Sequence, residues 1–192
     1  MTPSSHTPLK SICLLLLAGS ILAGGCVPAV SLLAIDVVRD EREPRAYWQD
    51  NKAEMDIRFS IHRNKTISDT NVSVTIWNSV VLLTGEVPDQ QAIDRILDIA
   101  KSHHYTRQVV NRIELAGRTN MASRGNDGWL TGRVKTALVV SGTVDPTRFK
   151  VVTERANVYL MGLVTSAEAT EAVLIVRSVP GVVRVIKVFE YL

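Results

Sequence analysis

The chain has 192 residues, with 22 basic and 19 acidic side chains and a hydrophobic fraction of 46%. This composition excludes wholesale disorder and a collagen-like repeat, and two cysteines are too few for a disulfide scaffold or a Cys-rich metal site. A net charge of +3 over this length is too small to indicate a nucleic-acid partner on its own. We therefore expect one medium or two small globular domains.

The N-terminus has the pattern of an export signal. Lys10 is the only charged residue of the first ten, and an uncharged, leucine-rich run follows over residues 11–25. A short basic start, an apolar run and small residues before a break are typical of a secretory signal peptide. The small residues directly precede Cys26, which resembles the lipobox of bacterial lipoproteins. The resemblance implies a signal peptide over residues 1–25 and lipid attachment at Cys26.

An uncleaved transmembrane anchor is the alternative interpretation, although we favour the lipoprotein. The uncharged run continues to Ile35 and is 25 residues long, which is enough to span a bilayer. Charged residues then cluster before Pro44, so we interpret residues 26–46 as the acylated cysteine and an exposed tether. Val27 follows the cysteine. In lipoproteins of the enteric type this implies sorting to the outer membrane, with the body lipid-anchored at the periplasmic face.

The remaining chain contains an internal repeat. Residues 74–87 align with residues 151–164 at an offset of 77. Each copy has two β-rich runs, separated by the polar break Asn78-Ser79 or Arg155–Asn157, and a glycine near the end of the second run. This pattern predicts a β-hairpin in each copy.

Each predicted hairpin is followed by a helix and a last strand. Asp89 opens the first of these helices, and Thr165 with Glu168 forms a capping box at the second. After both starts, apolar residues recur at helical spacing. The last strands are predicted at residues 108–115 and 182–189.

A helix is also predicted before each hairpin. Residues 129–140 place Leu130 and its helical neighbours on one face, after a polar start at residues 125–128. In the first copy, the apolar residues within 55–61 alternate strictly, which taken alone favours a strand. We predict a helix over residues 47–63 because the repeat requires one.

Each copy therefore has the order α-β-β-α-β, which places the chain in the α+β class. This order, with a glycine near the end of the hairpin and the entry Gly181-Val182 to the last strand, resembles the BON domain (bacterial osmotically inducible and nodulation). The resemblance implies two tandem domains, at residues 47–117 and 118–192, each with a small mixed three-stranded sheet packed on two helices. A lipobox followed by two such domains is similar to the dual-BON outer-membrane lipoproteins.

The sequence contains no recognisable catalytic set. It lacks a nucleophile-elbow motif, a phosphate-binding loop, a zinc-protease helix motif and a paired-cysteine motif. His103 and His104 are adjacent, so their side chains point apart on a helix, and no cysteine or carboxylate lies at ligand spacing. We interpret them as a solvated helix end. We expect a protein that is not an enzyme, with no cofactor, no metal ion and no small-molecule substrate.

Charge is distributed unevenly between the two copies. Residues 47–117 hold 8 basic and 9 acidic side chains, whereas residues 118–192 hold 10 basic and 6 acidic ones. The basic excess of the second copy favours an anionic partner there. Since the chain has an export signal and no basic run, we do not expect that partner to be a nucleic acid.

One helix face of the second copy suits an anionic membrane surface. Opposite the core stripe of this helix, Trp129 supplies an amphipathic ring, and Arg133 and Lys135 supply cations for phosphate. The alternative is that Trp129 packs against the first domain. Trp48 and Trp77 lack such a context, and we expect them in the core or at a domain interface. The resemblance implies that this helix binds anionic phospholipid, and the candidate residues are Trp129, Leu130, Gly132, Arg133, Lys135, Thr136 and Val140.

The resemblance also implies a lipoprotein that maintains envelope integrity and is enriched at division sites. An alternative of a different class is a periplasmic protein-binding adaptor. Its first domain or an exposed strand edge would dock an envelope enzyme or an outer-membrane assembly factor. The expected partners are anionic phospholipids in the first case and envelope proteins in the second.

Overall fold

The computed structural model describes residues 44–117 and 121–192. The elements of the first range are α1 (Pro44–Arg63), β1 (Asn71–Trp77), β2 (Val80–Val87), α2 (Gln90–Ser102) and β3 (Gln108–Leu115). Those of the second range are α3 (Met121–Ser141), a short 3-10 helix (Pro146–Arg148), β4 (Lys150–Glu154), β5 (Asn157–Val164), α4 (Ser166–Arg177) and β6 (Arg184–Tyr191).

Both sheets have the same mixed topology. β2 lies at the centre of the first sheet, antiparallel to β1 and parallel to β3, and β5 holds the same place between β4 and β6. The parallel pairs require crossover connections, which α2 and α4 provide. This topology, with the order α-β-β-α-β in each range, confirms the predicted α+β fold with two small mixed sheets.

Two-residue turns close both hairpins. Asn78 and Ser79 have φ angles of 49° and 64°, and Arg155 and Ala156 have φ angles of 49° and 59°. Two consecutive residues with positive φ are typical of a type I′ turn, whose twist matches that of the flanking strands. The second break is one residue shorter than predicted, because Asn157 is already the first residue of β5.

A glycine in each central strand lets another backbone segment approach closely. A Cβ added to Gly85 would lie 1.8 Å from the carbonyl oxygen of Asn71, and one added to Gly162 would lie 2.3 Å from that of Arg148. No side chain fits at those distances, so both positions require glycine. These are the two glycines that mark the repeat in the sequence.

Each sheet packs one face against its own two helices. In the first domain, Ile57 of α1, Leu83 of β2 and Ile96 of α2 are at most 1% exposed. In the second domain, Leu130 of α3 and Leu160 of β5 are buried to the same degree. The first helix of each copy is thereby fixed with one stripe inward and the other outward.

The elements after the hairpins begin close to where the sequence places them. Asp89 caps α2 by accepting a backbone hydrogen bond at 2.8 Å, and Thr165 and Glu168 form the capping box of α4. β3 has the predicted bounds. β6 begins at Arg184, two residues later than predicted, because Gly181 with a φ of 101° turns the chain before it.

The other faces of the two sheets pack against each other. Trp77, Val80 and Leu82 of the first sheet form one buried cluster with Tyr159 and Met161 of the second. Because side chains alternate along a strand, this cluster lies on the opposite face from the helix-facing core. The layers are therefore helices, sheet, sheet and helices. The prediction that Trp77 lies at a domain interface is confirmed.

Polar contacts at the rim of this interface repeat with approximate twofold symmetry. The turn residue Asn78 donates to Glu190 near the end of β6 at 3.0 Å, and Arg107 also pairs with Glu190. In the other direction, the turn residue Arg155 donates to Glu114 near the end of β3 at 2.7 Å. Each hairpin turn thus reaches the last strand of the other domain.

The start of α3 differs from the prediction. The helix begins at Met121, eight residues before the expected start at Trp129, and includes the polar stretch 125–128. The Asp127 carboxylate accepts two N–H hydrogen bonds from the second hairpin turn, at 2.9 and 2.8 Å. Asp50 of α1 makes the same pair of bonds to the first turn, at 2.8 and 3.0 Å. These tertiary contacts outweigh the low helix propensity of the glycines, and the sequence analysis missed them.

The prediction of a helix before the first hairpin, which was made from the repeat, is confirmed by α1. Ile57 and Ile61 face the core, whereas Met55 and Phe59 are 70% and 59% exposed. The strict alternation is therefore produced by two helical stripes and not by a strand. Trp48 is 69% exposed, so its expected place in the core or at an interface is wrong.

Candidate functional site

α3 carries the predicted membrane-facing surface on the outside of the second domain. The core stripe that begins at Leu130 is at most 1% exposed. On the opposite side, Trp129 is 60% and Val140 is 77% exposed, so Trp129 does not pack against the first domain. Gly132 and Thr136 are exposed between them. We refer to this surface as the α3 face, formed by Trp129, Gly132, Arg133, Thr136 and Val140.

Arg133 is held directly beside the exposed indole. Its guanidinium carbon lies 4.8 Å from the centroid of the Trp129 ring, which is a cation–π distance. Its Nη1 also donates to the carbonyl oxygen of Pro180 at 3.1 Å. The two contacts place an apolar ring and a positive charge at the same point of the surface.

Two of the predicted site residues lie off the α3 face. Leu130 is 1% exposed and packs in the core, so its assignment as a lipid-contacting residue is wrong, and its part is to hold the helix in place. Adjacent helical residues are about 100° apart, so the neighbour of an outward Trp129 turns inward. Lys135 is half-buried and lies about 120° around the helix from Trp129. It occupies the flank where Val139 is 61% exposed.

The charges of α3 favour an anionic ligand. The helix carries three cations, at Arg124, Arg133 and Lys135, and one acid, Asp127. The Asp127 carboxylate is 5% exposed and is turned inward to the hairpin turn. The helix that carries the exposed tryptophan thus has a net charge of +2, which is half of the basic excess of the second domain.

A cluster of carboxylates lies where the two domains meet. Glu86 is fully buried, and its Oε2 accepts a hydrogen bond from Asn71 at 3.0 Å while its Oε1 lies 3.6 Å from Arg155. Burial raises the pKa of Glu154 to about 7, and the negative charges of Glu86 and Asp127 add to this effect. Because of this raised pKa, we expect the cluster to affect how the stability of the protein depends on pH. Since the cluster is buried, a large ligand does not reach it.

Only one of the two adjacent histidines is exposed to solvent. His104 is exposed, as predicted, but His103 is half-buried with its Nε2 3.6 Å from Asp56. The hydrogen bond donated by Lys52 lowers the pKa of Asp56. Within residues 44–117 and 121–192, no group of three or more His, Cys, Asp or Glu side chains is placed to hold a metal ion.

α1 carries an exposed apolar surface that the sequence analysis missed. Trp48, Met55 and Phe59 are all more than half exposed and lie at i, i+7 and i+11, on one side of the helix. The guanidinium carbon of Arg63 lies 5.2 Å from the Phe59 ring centroid. The helical spacing was the available signal, and the local alternation concealed it. We refer to this surface as the α1 face, formed by Trp48, Met55 and Phe59.

Comparison with known proteins shows the family. Residues 49–117 and 126–192 both match the sequence profile of the BON domain. The chain belongs to the BON family. It is also 33% identical over 190 residues to "Outer membrane lipoprotein DolP" of Haemophilus influenzae, covering 97% of this chain and 98% of that protein. The chain is thus a DolP-like dual-BON protein and falls among the outer-membrane lipoproteins of the family. The α1 face belongs to BON domain 1 and the α3 face to BON domain 2.

The more distant relatives give little information about the function of the BON domains. The "21 kDa hemolysin" of Actinobacillus pleuropneumoniae is 27% identical over 153 residues, which cover 79% of this chain and 79% of that protein. The solved structure of CdsD, a structural protein of the Type III secretion system of Chlamydia trachomatis, aligns with a TM-score of 0.30 and 11% identity. That alignment covers 72% of this chain and 91% of the other, and so low a score carries no argument.

The predicted lipid attachment lies outside the described residues. This applies to Cys26, to the signal peptide at 1–25 and to most of the tether at 26–46. For the part of the chain that the structure describes, none of the helices combines the length and the hydropathy that crossing a bilayer requires.

Proposed function

We propose that this protein is an acylated lipoprotein on the periplasmic face of the outer membrane, and that BON domain 2 binds anionic phospholipid through the α3 face. The observation that carries the proposal is the exposed indole of Trp129 with the half-buried Arg133 beside it, the guanidinium carbon lying 4.8 Å from the ring centroid. The only acid of the same helix is turned inward. The similarity to an outer membrane lipoprotein supports the location, and the small residues before Cys26 support the anchor.

An indole and a cation at one point suit the headgroup layer of a membrane. Amphipathic aromatic rings are favoured there, and each basic residue near an anionic surface contributes about 1 kcal/mol. Val139 and Val140 extend the apolar surface toward the C-terminal end of α3. Acyl chains on Cys26 would keep the face near the membrane, so a weak intrinsic affinity suffices because the effective concentration is high.

The proposed role is not enzymatic. Held by its anchor and by headgroup contacts, the protein would support the integrity of the envelope, including at division sites. This part of the proposal rests on the resemblance to the dual-BON lipoproteins, and the binding activity rests on the α3 face.

Vesicle binding tests the proposal. The body of the protein, residues 27–192, is mixed with vesicles of neutral phospholipid that contain an increasing fraction of phosphatidylglycerol, and bound protein is measured by co-sedimentation. We expect binding to rise with the anionic fraction and to fall with added salt, because salt screens exposed charges. Equal binding to neutral vesicles, or no binding to anionic ones, would contradict the proposal.

A further inference from the structure

A groove runs along BON domain 1 between α1 and the edge strand β1. Its volume is about 790 Å³, its helix wall includes Met55 and Phe59, and its strand wall includes Val72 and Val74. β1 lies at the edge of its sheet, with β2 on one side only. The groove therefore combines an apolar wall with the open side of a strand.

One hydrogen bond shows which backbone groups of β1 face the groove. The Ile76 N–H donates to Oε2 of Glu54 on α1 at 3.3 Å, so it points away from β2. In an antiparallel pair, successive residues alternate between facing the partner strand and facing away from it. Val74 and Val72 therefore also direct their N–H and C=O groups away from β2. An open strand edge of this kind is a template for an added strand.

We propose that this groove binds an extended peptide segment of a protein partner by strand addition. The backbone of the segment pairs with β1 at Val72 and Val74. Its apolar side chains on one face pack against Met55 and Phe59. Side chains of a strand alternate between its two faces, so the segment has apolar residues at every second position.

The charges around the groove favour acidic residues in the segment. Arg58 lines the groove and is 62% exposed at its side chain, and Arg63 lies over the Phe59 ring. His62 is the second basic side chain of the lining, against the single acid Asp69. A segment in which acidic residues alternate with apolar ones therefore fits both the apolar wall and the charge of the rim.

The repeat shows that this wall is particular to BON domain 1. At the offset of 77, Met55 and Phe59 correspond to Gly132 and Thr136 of the α3 face. The α3 side of BON domain 2 therefore offers no side chain at one of these positions and a polar one at the other. The two copies carry different surfaces at equivalent places, which suits two different ligands.

A peptide fits this groove better than a lipid surface does. Asp56 stands where BON domain 2 has Arg133, so the charge at this repeat position is reversed. Dehydrating the backbone groups of an open strand edge against lipid costs free energy, whereas an added strand pairs with them.

Peptide selection on the full acylated chain in neutral detergent tests the proposal. The probe is a displayed library of random peptides as long as β1, which has seven residues. We expect the selected peptides to alternate apolar and acidic residues. Phe59→Thr, which introduces the residue of the other domain, should weaken their binding by at least about tenfold, because it removes the aromatic wall. Thr136→Phe makes the reverse change in BON domain 2 and is the matched control, which should leave peptide binding unchanged.

Strand addition is tested in the peptide itself, which leaves the protein unchanged. N-methylation along the peptide edge that faces β1 removes hydrogen-bond donors, and N-methylation along the other edge is the control. We expect only the first to weaken binding, again by at least about tenfold, since more than one hydrogen bond is lost.

Several results would overturn the proposal. These are a failed selection, binding that is insensitive to Phe59→Thr, and equal effects of N-methylation on the two edges. If Phe59→Thr instead dissociates a dimer of the chain, a second copy covers the groove. If it abolishes binding to phosphatidylglycerol vesicles, the occupant is a membrane. Trp129→Ala should leave peptide binding unchanged, so this proposal and the phospholipid proposal can fail separately.

Discussion

Replacing Trp129 by alanine removes the membrane-facing ring while leaving the core intact, because the side chain is 60% exposed. An aromatic side chain buries at most roughly 250 Å², so about 150 Å² of this ring is available to a membrane. At about 25 cal/mol per Å², burying half of that area contributes about 2 kcal/mol. We therefore expect Trp129→Ala to weaken binding to anionic vesicles about thirtyfold, at 1.4 kcal/mol per tenfold. Co-sedimentation over a vesicle titration measures the affinity, and thermal unfolding by circular dichroism measures the stability.

The chain supplies controls in both directions. Trp48 is 69% exposed on BON domain 1, so Trp48→Ala removes a similar area from the other domain and should leave vesicle binding unchanged. Leu130 is 1% exposed, so Leu130→Ala should lower the free energy of unfolding by about 2–5 kcal/mol. Loss of folding in Trp129→Ala, as in Leu130→Ala, would contradict the assignment of Trp129 to the membrane-facing surface. An unchanged affinity in Trp129→Ala, or an equal loss of affinity in Trp48→Ala, would also contradict it.

Three further predictions concern the charge, the anchor and the pH dependence. Arg133→Glu should weaken vesicle binding and reduce its salt dependence, because an attractive charge becomes repulsive; vesicle titrations at low and high salt measure both effects. Cys26→Ala should leave an uncleaved or mislocalised precursor, because stable anchoring needs the acyl chains; a mature wild-type protein without acyl mass in mass spectrometry would contradict this. The pKa of Glu154 is raised from 4.5 to about 7, so its contribution to stability is full below about pH 4.5 and is lost as the pH rises through 7. Glu154→Gln should remove this loss and exceed the wild type in stability at about pH 8, measured by urea unfolding; parallel pH profiles for the two proteins would argue against it.

The parts of the fold that were predictable are those that neighbouring residues determine. The turn at Asn78 and Ser79 closes between two β-rich runs, and the capping box of Thr165 and Glu168 satisfies backbone groups within one helical turn. The repeat then transferred these assignments from one copy to the other. The repeat also assigns residues 55–61 to a helix, whereas their alternating apolar pattern taken alone favours a strand.

The parts that failed depend on contacts between distant residues. Asp127 extends α3 through two glycines because it reaches a turn 28 residues later in the chain. Nothing in the local sequence around Trp48 distinguishes a buried tryptophan from an exposed one. The side chain is exposed because Ala53 and Ile57 pack into the core and turn another stripe of α1 inward.

The α3 face was predictable in direction but not in detail. The stripe that begins at Leu130 determines which side of the helix faces outward, and Trp129 follows from it. The same geometry turns Leu130 itself inward, which the inclusion of that residue in the site overlooked. The contact between Arg133 and the carbonyl of Pro180 joins residues 47 positions apart, and nothing in the local sequence indicates it.

The packing of one sheet on the other has a consequence for how the two copies can specialise. An isolated copy would leave the outer face of its sheet, with Val80 and Leu82 in one case, open to water unless two chains dimerised. In such a homodimer every surface residue is present twice, so a substitution in the first helix of one copy is always present in the other copy as well. Within a single chain the partner sheet is retained at any dilution, and each helix varies independently. The opposite charges of Asp56 and Arg133 at one repeat position are a difference that a symmetric homodimer cannot have.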